Sequence, residues 1–173
     1  MRERFGGLVV SCLTLGLLST THAQSSAVTV EGGGKEVATA SHASGTFDIN
    51  LKPLPDEEKI AGLKVGRMVF DKQFKGDLEG TSKGEMMTAA ASVDGSGGYV
   101  AVERFDGTLR GRKGTFVLLH HGTMKRGGDF KVTIPVVPDS GTGQLMGLTG
   151  NLTINITNGQ HFYEFDYALP EAP

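Results

Sequence analysis

The sequence predicts an all-β protein whose eight strands close into an antiparallel barrel. Short segments of alternating polarity recur along the chain, glycine-rich turns separate them, and no stretch sustains the 3.6-residue period of an amphipathic helix. Closure removes the exposed edges of a sheet, and glycines within strands permit the bending that closure requires. A flat sandwich of two sheets is the alternative architecture.

The strand pattern is confined to segments bounded by Gly, Asp or Pro. They are residues 45–51, 67–77, 78–92, 98–109, 115–124, 130–137, 150–157 and 160–169. Turns are predicted at residues 94–98, 110–113, 126–128 and 158–159, where glycine supplies the positive φ of tight hairpins. Residues 53–59 favour a single helical turn.

Residues 1–23 have the pattern of a secretory signal peptide. Arg2 and Arg4 precede an apolar run at residues 8–18, which is too short to span a bilayer, and Ala23 is a small residue at a cleavage position. We therefore predict cleavage after Ala23 and a periplasmic or secreted mature protein. An uncleaved membrane anchor and a lipoprotein attached at Cys12 are the alternatives.

The mature chain would have no cysteine, because Cys12 is the only one in the sequence. It would therefore have neither disulfides nor a thiolate metal site. Loss of Arg2, Glu3 and Arg4 leaves 15 basic and 18 acidic residues, and the basic residues form no block. We expect no nucleic-acid partner, since nucleic-acid binding requires clustered cations, and no membrane association after cleavage.

The mature chain divides into two predicted parts. Residues 24–42 are rich in Ser, Ala, Gly and Thr and are predicted to form a flexible leader, with a short edge strand as the alternative. Residues 43–170 form the predicted barrel domain. His42 belongs to the leader in this division, and we expect it to be solvated.

The hairpin of residues 99–124 is the best-defined part of the barrel. If Gly111 and Arg112 form its two-residue turn, Glu103 lies opposite His120. Alternate side chains then share a face, whereas a three-residue loop would shift the pairing. One face holds Tyr99, Glu103, Phe105, Phe116, Leu118 and His120, and the other holds Val100, Val102, Arg104, Val117, Leu119 and His121.

Glu103 and His120 are the candidate catalytic residues. A partly buried carboxylate can have a raised pKa, and an imidazole exchanges protons near neutral pH, so the two could form an acid–base pair. The alternative is a structural pair that ties two strands together. A catalytic pair must border an open cavity, which separates the two interpretations.

The candidate substrate-binding residues lie on the same hairpin and on the last predicted strand. They are Tyr99, Phe105, Phe116, Leu118, Tyr163, Tyr167 and Arg104. Arg104 could bind an anionic group, or it could simply pair with Asp106. The tyrosines could line an aromatic pocket, although an aromatic stripe is also typical of a core.

Neither a metal nor a cofactor is predicted. Adjacent strand residues point to opposite faces, so His120 and His121 cannot bind one ion in the interior. His161 could join one of them, but no carboxylate–histidine spacing supports a metal site.

Three stretches resemble the bacterial domain-of-unknown-function family 3224. They are ERFxGTLxGRxGxFVLxH at residues 103–120, VPxSGTGxLxGLxG at residues 137–150 and YxxDY at residues 163–167, and the resemblance extends over residues 45–169. It implies a barrel similar to that of allene oxide cyclase and dirigent proteins, with a lumen and a dimeric or trimeric assembly. That fold group includes cofactor-free cyclases, but family 3224 has no agreed function.

Three functions remain open from the sequence. The first is an exported barrel that binds a small, mainly apolar molecule in its lumen. The second is a cofactor-free isomerase or cyclase that acts in the same lumen through Glu103, His120 or a tyrosine. The third is a structural or assembly protein with a filled interior.

Overall fold

The computed structural model describes residues 39–55, 64–128 and 130–170, and these form a closed antiparallel barrel. Its strands are β1 (Thr39–Pro53), β2 (Lys64–Gly76), β3 (Leu78–Ala90), β4 (Gly97–Leu109), β5 (Arg112–Met124), β6 (Phe130–Pro135), β7 (Thr149–Thr157) and β8 (Gln160–Leu169). Each strand pairs with its neighbours in sequence, and β1 pairs with β8 to close the sheet. The predicted eight-stranded barrel is confirmed and the sandwich is excluded.

Strand β1 begins earlier than the sequence predicted. Residues 39–42, which were assigned to the leader, pair with the last residues of β8, from Thr39 opposite Leu169 to His42 opposite Asp166. The small side chains of this segment show no clear alternation of polarity, so the sequence pattern does not reveal a strand that main-chain hydrogen bonds form. Residues 1–38, which contain the predicted signal peptide and the rest of the leader, lie outside the described residues.

No helical turn follows β1 within the described residues. The strand ends at Pro53, and residues 54 and 55 are irregular. The remainder of that predicted turn, residues 56–59, lies outside the described part of the chain. A short 3₁₀ segment at Gly143–Leu145 was not predicted.

The turn between β4 and β5 lies one residue earlier than predicted. Arg110 and Gly111 occupy it with φ of 47° and 81°, as a two-residue hairpin turn of this hand requires. Glu103 therefore lies opposite Leu118, and His120 lies opposite Ala101. The predicted pairing was wrong by two residues, and a shift of two leaves every side chain on its predicted face.

The interior is packed solid at one end, which we call the closed end. It lies at the β2–β3 and β4–β5 turns, and the loop between β6 and β7 covers it. Its buried side chains include Phe74, Leu78, Phe105, Leu109, Phe116, Leu145, Leu148, Leu152, Tyr163 and Phe165. The Tyr163 hydroxyl oxygen accepts a hydrogen bond of 2.7 Å from the Leu78 N–H. The opposite end, the open end, carries the candidate site.

Candidate functional site

A cavity of about 160 Å³ opens at the open end of the barrel. All eight strands contribute side chains to its wall, and most of these are apolar. They are Phe47, Ile49, Leu51, Phe70, Lys72, Met86, Tyr99, Ala101, His120, Phe130, Ile154, Ile156 and His161. The interior is therefore solid over one half and hollow over the other.

Four polar side chains meet where the hollow half joins the solid half, and we call them the buried cluster. Lys72 Nζ donates a hydrogen bond of 2.6 Å to Glu103 Oε2, and Ser82 Oγ donates one of 2.5 Å to Glu103 Oε1. His120 Nε2 lies 2.8 Å from Glu103 Oε2. Glu103 is 0% exposed, whereas Lys72 and His120 reach the cavity wall.

Glu103 is ionised at neutral pH. Burial alone would raise its pKa, but the Lys72 ammonium and the His120 imidazole outweigh burial and lower the pKa to about 2. The expectation of a raised pKa was wrong because it took no account of Lys72. The folded carboxyl has the lower pKa, so the stability that it contributes is present above its ordinary value of 4.5 and is lost as pH falls through about 2.

His120 contacts Glu103 closely but without good alignment. Nε2 is buried and has no hydrogen-bond partner with acceptable geometry among the described residues, despite the 2.8 Å separation. A nitrogen lone pair this close to a carboxylate would be repelled, so Nε2 carries the proton. In the neutral form of the ring Nδ1 is then the acceptor, and Glu103 fixes this tautomer.

The comparisons with known proteins concern the whole barrel. The family model described as "Protein of unknown function (DUF3224)" matches residues 43–167. This chain belongs to the DUF3224 family. A crystal structure of a DUF3224 protein of unknown function from Shewanella oneidensis MR-1 is 44% identical, with a TM-score of 0.71, and the match covers 77% of this chain and 100% of that one.

No curated protein matches the chain. The DUF3224 match confirms the family resemblance drawn from the three sequence stretches. The likeness to allene oxide cyclase and the dimeric or trimeric assembly stay predictions.

Large apolar side chains are exposed on the outer faces of β3, β4 and β5, at Met87, Val100, Val102 and Leu119.

The buried cluster of this DUF3224 protein contains two residues that sequence reasoning missed, Lys72 and Ser82. Their strand positions lie directly opposite each other on β2 and β3. The sequence does hold a signal for Lys72, because Phe70 and Phe74 flank it two residues away on either side. Side chains two apart share a face, so Lys72 lies on the core face with both rings.

Aromatic rings surround the Lys72 ammonium. Its Nζ lies 4.7 Å from the ring centroid of Phe47, 5.3 Å from that of Phe70 and 5.6 Å from that of Phe74. Contacts of this kind stabilise a desolvated cation by about 1–2 kcal/mol. The ring contacts and the ion pair with Glu103 together stabilise the Lys72 ammonium in its buried position at the cavity wall.

Two glycines leave room for side chains of the site. A Cβ on Gly84 would lie 2.3 Å from Phe70 Cζ, and a Cβ on Gly122 would lie 2.4 Å from Tyr99 Cε1. Both distances are shorter than non-bonded carbon atoms allow. The absence of a side chain at these positions therefore lets Phe70 and Tyr99 occupy the cavity wall.

The predicted substrate-binding residues divide between cavity, core and surface. Tyr99 lines the cavity, and its pKa is raised by burial and by the Glu103 carboxylate. Residues packed in the solid half or against it are Phe105, Phe116, Leu118, Tyr163 and Tyr167. These five do not border the cavity, because they lie too far towards the closed end.

Arg104 lies on the outer face and cannot contact a molecule inside the barrel. Its side chain is 58% exposed, and its Nη1 lies 3.3 Å from Asp106 Oδ2. Its assignment to substrate binding was wrong for this geometry, and the alternative pairing with Asp106 is confirmed. Successive side chains of a strand point to opposite faces, so Arg104 points outward because its neighbour Glu103 points inward.

The remaining histidines do not join the buried cluster. His121 is exposed on the outer face of β5, and His161 lines the cavity against the Phe47 ring. His42 is also on the outer face, where its ring nitrogens lie 2.7 Å from carboxylate oxygens of Glu164 and Asp166. Asp166 and then Glu164 raise the pKa of His42 through these hydrogen bonds.

The described ranges hold neither a metal-ligand cluster nor a membrane-spanning helix. Residues 39–55, 64–128 and 130–170 contain no group of three or more His, Cys, Asp or Glu side chains placed to hold a metal ion. No helix within those same ranges is long and apolar enough to cross a membrane.

Removing one partner of the buried ion pair should destabilise the barrel strongly. Lys72→Met leaves the Glu103 carboxylate buried without its cation, so we expect the free energy of unfolding to fall by roughly 3–5 kcal/mol. Adding Glu103→Gln removes the stranded charge, and the double variant should lose less than the sum of the two single variants. Urea denaturation of all three measures the coupling.

Lys75→Met is the matched control on the same strand. Lys75 pairs with Asp48 at 2.8 Å, but both side chains are well exposed. Its loss should change stability by no more than about 1 kcal/mol. Equal losses from Lys72→Met and Lys75→Met would contradict the strong effect of breaking the buried pair.

Proposed function

We propose that the open end binds a small, mainly apolar molecule with one polar group directed at the buried cluster. The observation that carries this proposal is the contrast between the two halves of the interior. The closed end is filled by buried side chains, whereas the open end keeps a cavity. Apolar walls with a few convergent polar groups are typical of small-molecule sites.

The mouth of the cavity supports the same proposal. Leu51, Phe130 and Ile156 line the cavity and remain about half exposed to solvent. The Phe130 ring stacks on that of Tyr99, with 6.2 Å between centroids. An apolar occupant would cover these side chains and gain the free energy of burying them.

Filling the cavity should abolish binding while preserving the fold. Ala101 lines the cavity on β4, so Ala101→Leu places additional carbon atoms in the space that a ligand would occupy. We expect the affinity for toluene, measured by NMR titration, to fall at least tenfold. This corresponds to about 1.4 kcal/mol.

Val102→Leu is the control, because Val102 is exposed on the outer face of the same strand. It should bind toluene as the wild type does. Undiminished binding to Ala101→Leu would place the ligand elsewhere. Failure of the wild type to bind toluene would favour a structural or assembly role.

Proton-transfer catalysis in the same cavity is the second candidate function. His120 borders the cavity and is oriented by an ionised Glu103, which is the arrangement of a general base with a positioning carboxylate. A cofactor-free isomerase or cyclase would use His120 in this role. Glu103 does not line the cavity, so we assign it the positioning role alone.

Exchange of carbon-bound hydrogen tests this second candidate. Cyclohexanone in D₂O should exchange its α-hydrogens faster with the wild type than with His120→Gln, and His121→Gln should match the wild type. NMR measures the exchange. Equal exchange by the wild type and His120→Gln would remove His120 from any such chemistry.

We also propose export, on the strength of the signal-peptide pattern at residues 1–23. Expression of the full chain in a Gram-negative bacterium should give a periplasmic or secreted protein that begins at Gln24. Cell fractionation and mass spectrometry of the N-terminus measure both. A cytoplasmic protein that retains residues 1–23 would contradict export.

A further inference from the structure

The base of the cavity presents an acceptor that nothing in the described structure satisfies. With its proton on Nε2, His120 has a lone pair on Nδ1, and Nδ1 makes no hydrogen bond to any described residue. The residue is only 3% exposed and lines the cavity. A ligand in the cavity that donates a hydrogen bond would supply Nδ1 with the partner that it lacks.

Lys72 presents donors beside that acceptor. Its ammonium has three N–H groups, and one hydrogen bond, to Glu103, is formed among the described residues. Lys72 Nζ and His120 Nε2 both contact Glu103 Oε2, at 2.6 and 2.8 Å. The Lys72 and His120 side chains therefore flank Glu103, and both line the cavity.

The charges of the buried cluster select the type of polar group. Lys72 and Glu103 neutralise each other, so the cluster with neutral His120 has no net charge to attract a strong ion. A neutral acid can donate a hydrogen bond from its O–H to Nδ1. An anion can bind instead if His120 takes up one proton from solvent. A ligand cation would instead lie beside the Lys72 ammonium and be repelled.

The cavity also limits the size of the occupant. Its volume of about 160 Å³ is close to that of engineered apolar cavities of about 150 Å³ that bind benzene. Phe47, Phe70 and Tyr99 supply aromatic faces and edges on three strands. The enclosed space therefore fits one ring.

From these observations we infer that the occupant is a weak organic acid, either a carboxylic acid or a phenol, with an apolar body about the size of one aromatic ring. The acid's O–H or anionic oxygen lies on His120 Nδ1, and the Lys72 ammonium lines the same cavity. When the anion binds, one proton from solvent protonates Nδ1, so ligand and proton enter together. This inference rests on the proposed binding function and specifies its ligand class.

Other titratable groups face His120 and could share the proton. They are Lys72 from β2, Glu103 and Tyr99 from β4, and His161 from β8. Glu103 is held ionised, and Tyr99 is held neutral by its raised pKa. His161 is the other imidazole in the described cavity wall, so the test must separate the two histidines.

Four single-ring probes test the inference on the full mature protein: toluene, phenol, benzoate and benzylamine. At mildly alkaline pH, benzoate should bind with uptake of about one proton, measured by calorimetry in buffers of different ionisation enthalpy. Phenol, with a pKa near that of tyrosine at about 10, should bind without proton uptake. Benzylamine should bind at least tenfold more weakly than either.

His120→Gln separates the roles of the two histidines. It should weaken benzoate binding about tenfold or more and abolish proton uptake, because hydrogen bonds to charged groups are among the strong ones. Toluene binding should persist in this variant, which shows that the cavity remains. His121→Gln, one residue away on the outer face, should behave as the wild type in all four titrations.

Three results would overturn the inference. If toluene binds but benzoate and phenol bind no more tightly than benzylamine, the ligand is not an acid, and the proposed binding function still stands. If proton uptake persists in His120→Gln, the proton goes to another group and the assignment to His120 is wrong. If none of the four probes binds, the proposed function fails and the inference fails with it.

Discussion

The ion pair between Lys72 and Glu103 is the constraint on which the rest of the site depends. Removing an ammonium and a carboxylate from water is unfavourable by several kcal/mol for each ion, and only close pairing with further hydrogen bonds offsets that penalty. Glu103 accepts hydrogen bonds from Lys72 and Ser82, and His120 Nε2 lies 2.8 Å from its carboxylate. These residues come from β2, β3, β4 and β5, so the pair requires the register of four strands at once.

The buried cluster also divides the interior into its two functional parts. On the side of the closed end, aromatic and aliphatic side chains fill the barrel. On the side of the open end, Gly84 and Gly122 make room for the Phe70 and Tyr99 rings in the wall, and a cavity of about 160 Å³ remains. Lys72 and His120 are the members of the cluster that reach that space. A molecule that enters the cavity therefore meets apolar walls first and the polar cluster at the base.

Period-two alternation predicted the barrel and the inward face of the hairpin well. Glu103 and His120 were found on the correct face even though their pairing was displaced by two residues, because parity survives such a shift. The prediction of the cavity-lining residues failed because alternation of polarity shows which face a side chain is on but not its position along the barrel axis. It could not tell how deep a residue lies along the barrel, so Phe105 and Phe116 were placed in a cavity although they belong to the solid half.

Lys72 was missed for a related reason. A lysine between two exposed-looking polar neighbours, Asp71 and Gln73, is most often solvated, and only its spacing from Phe70 and Phe74 indicates burial. Its partner Glu103 lies on another hairpin, 31 residues away in sequence. Charge compensation across strands depends on register, which no local pattern determines.

The ionisation state of Glu103 tests the central claim most directly. Its side-chain carboxyl carbon can be followed by ¹³C NMR across a pH titration of the folded protein, with Glu79 and Glu85 as internal references. The ion-paired cluster predicts that Glu103 stays ionised down to about pH 2, well below the ordinary glutamate value of 4.5. A carboxyl signal that titrates at or above 4.5 would show that Glu103 does not hold Lys72 and His120 in the proposed arrangement.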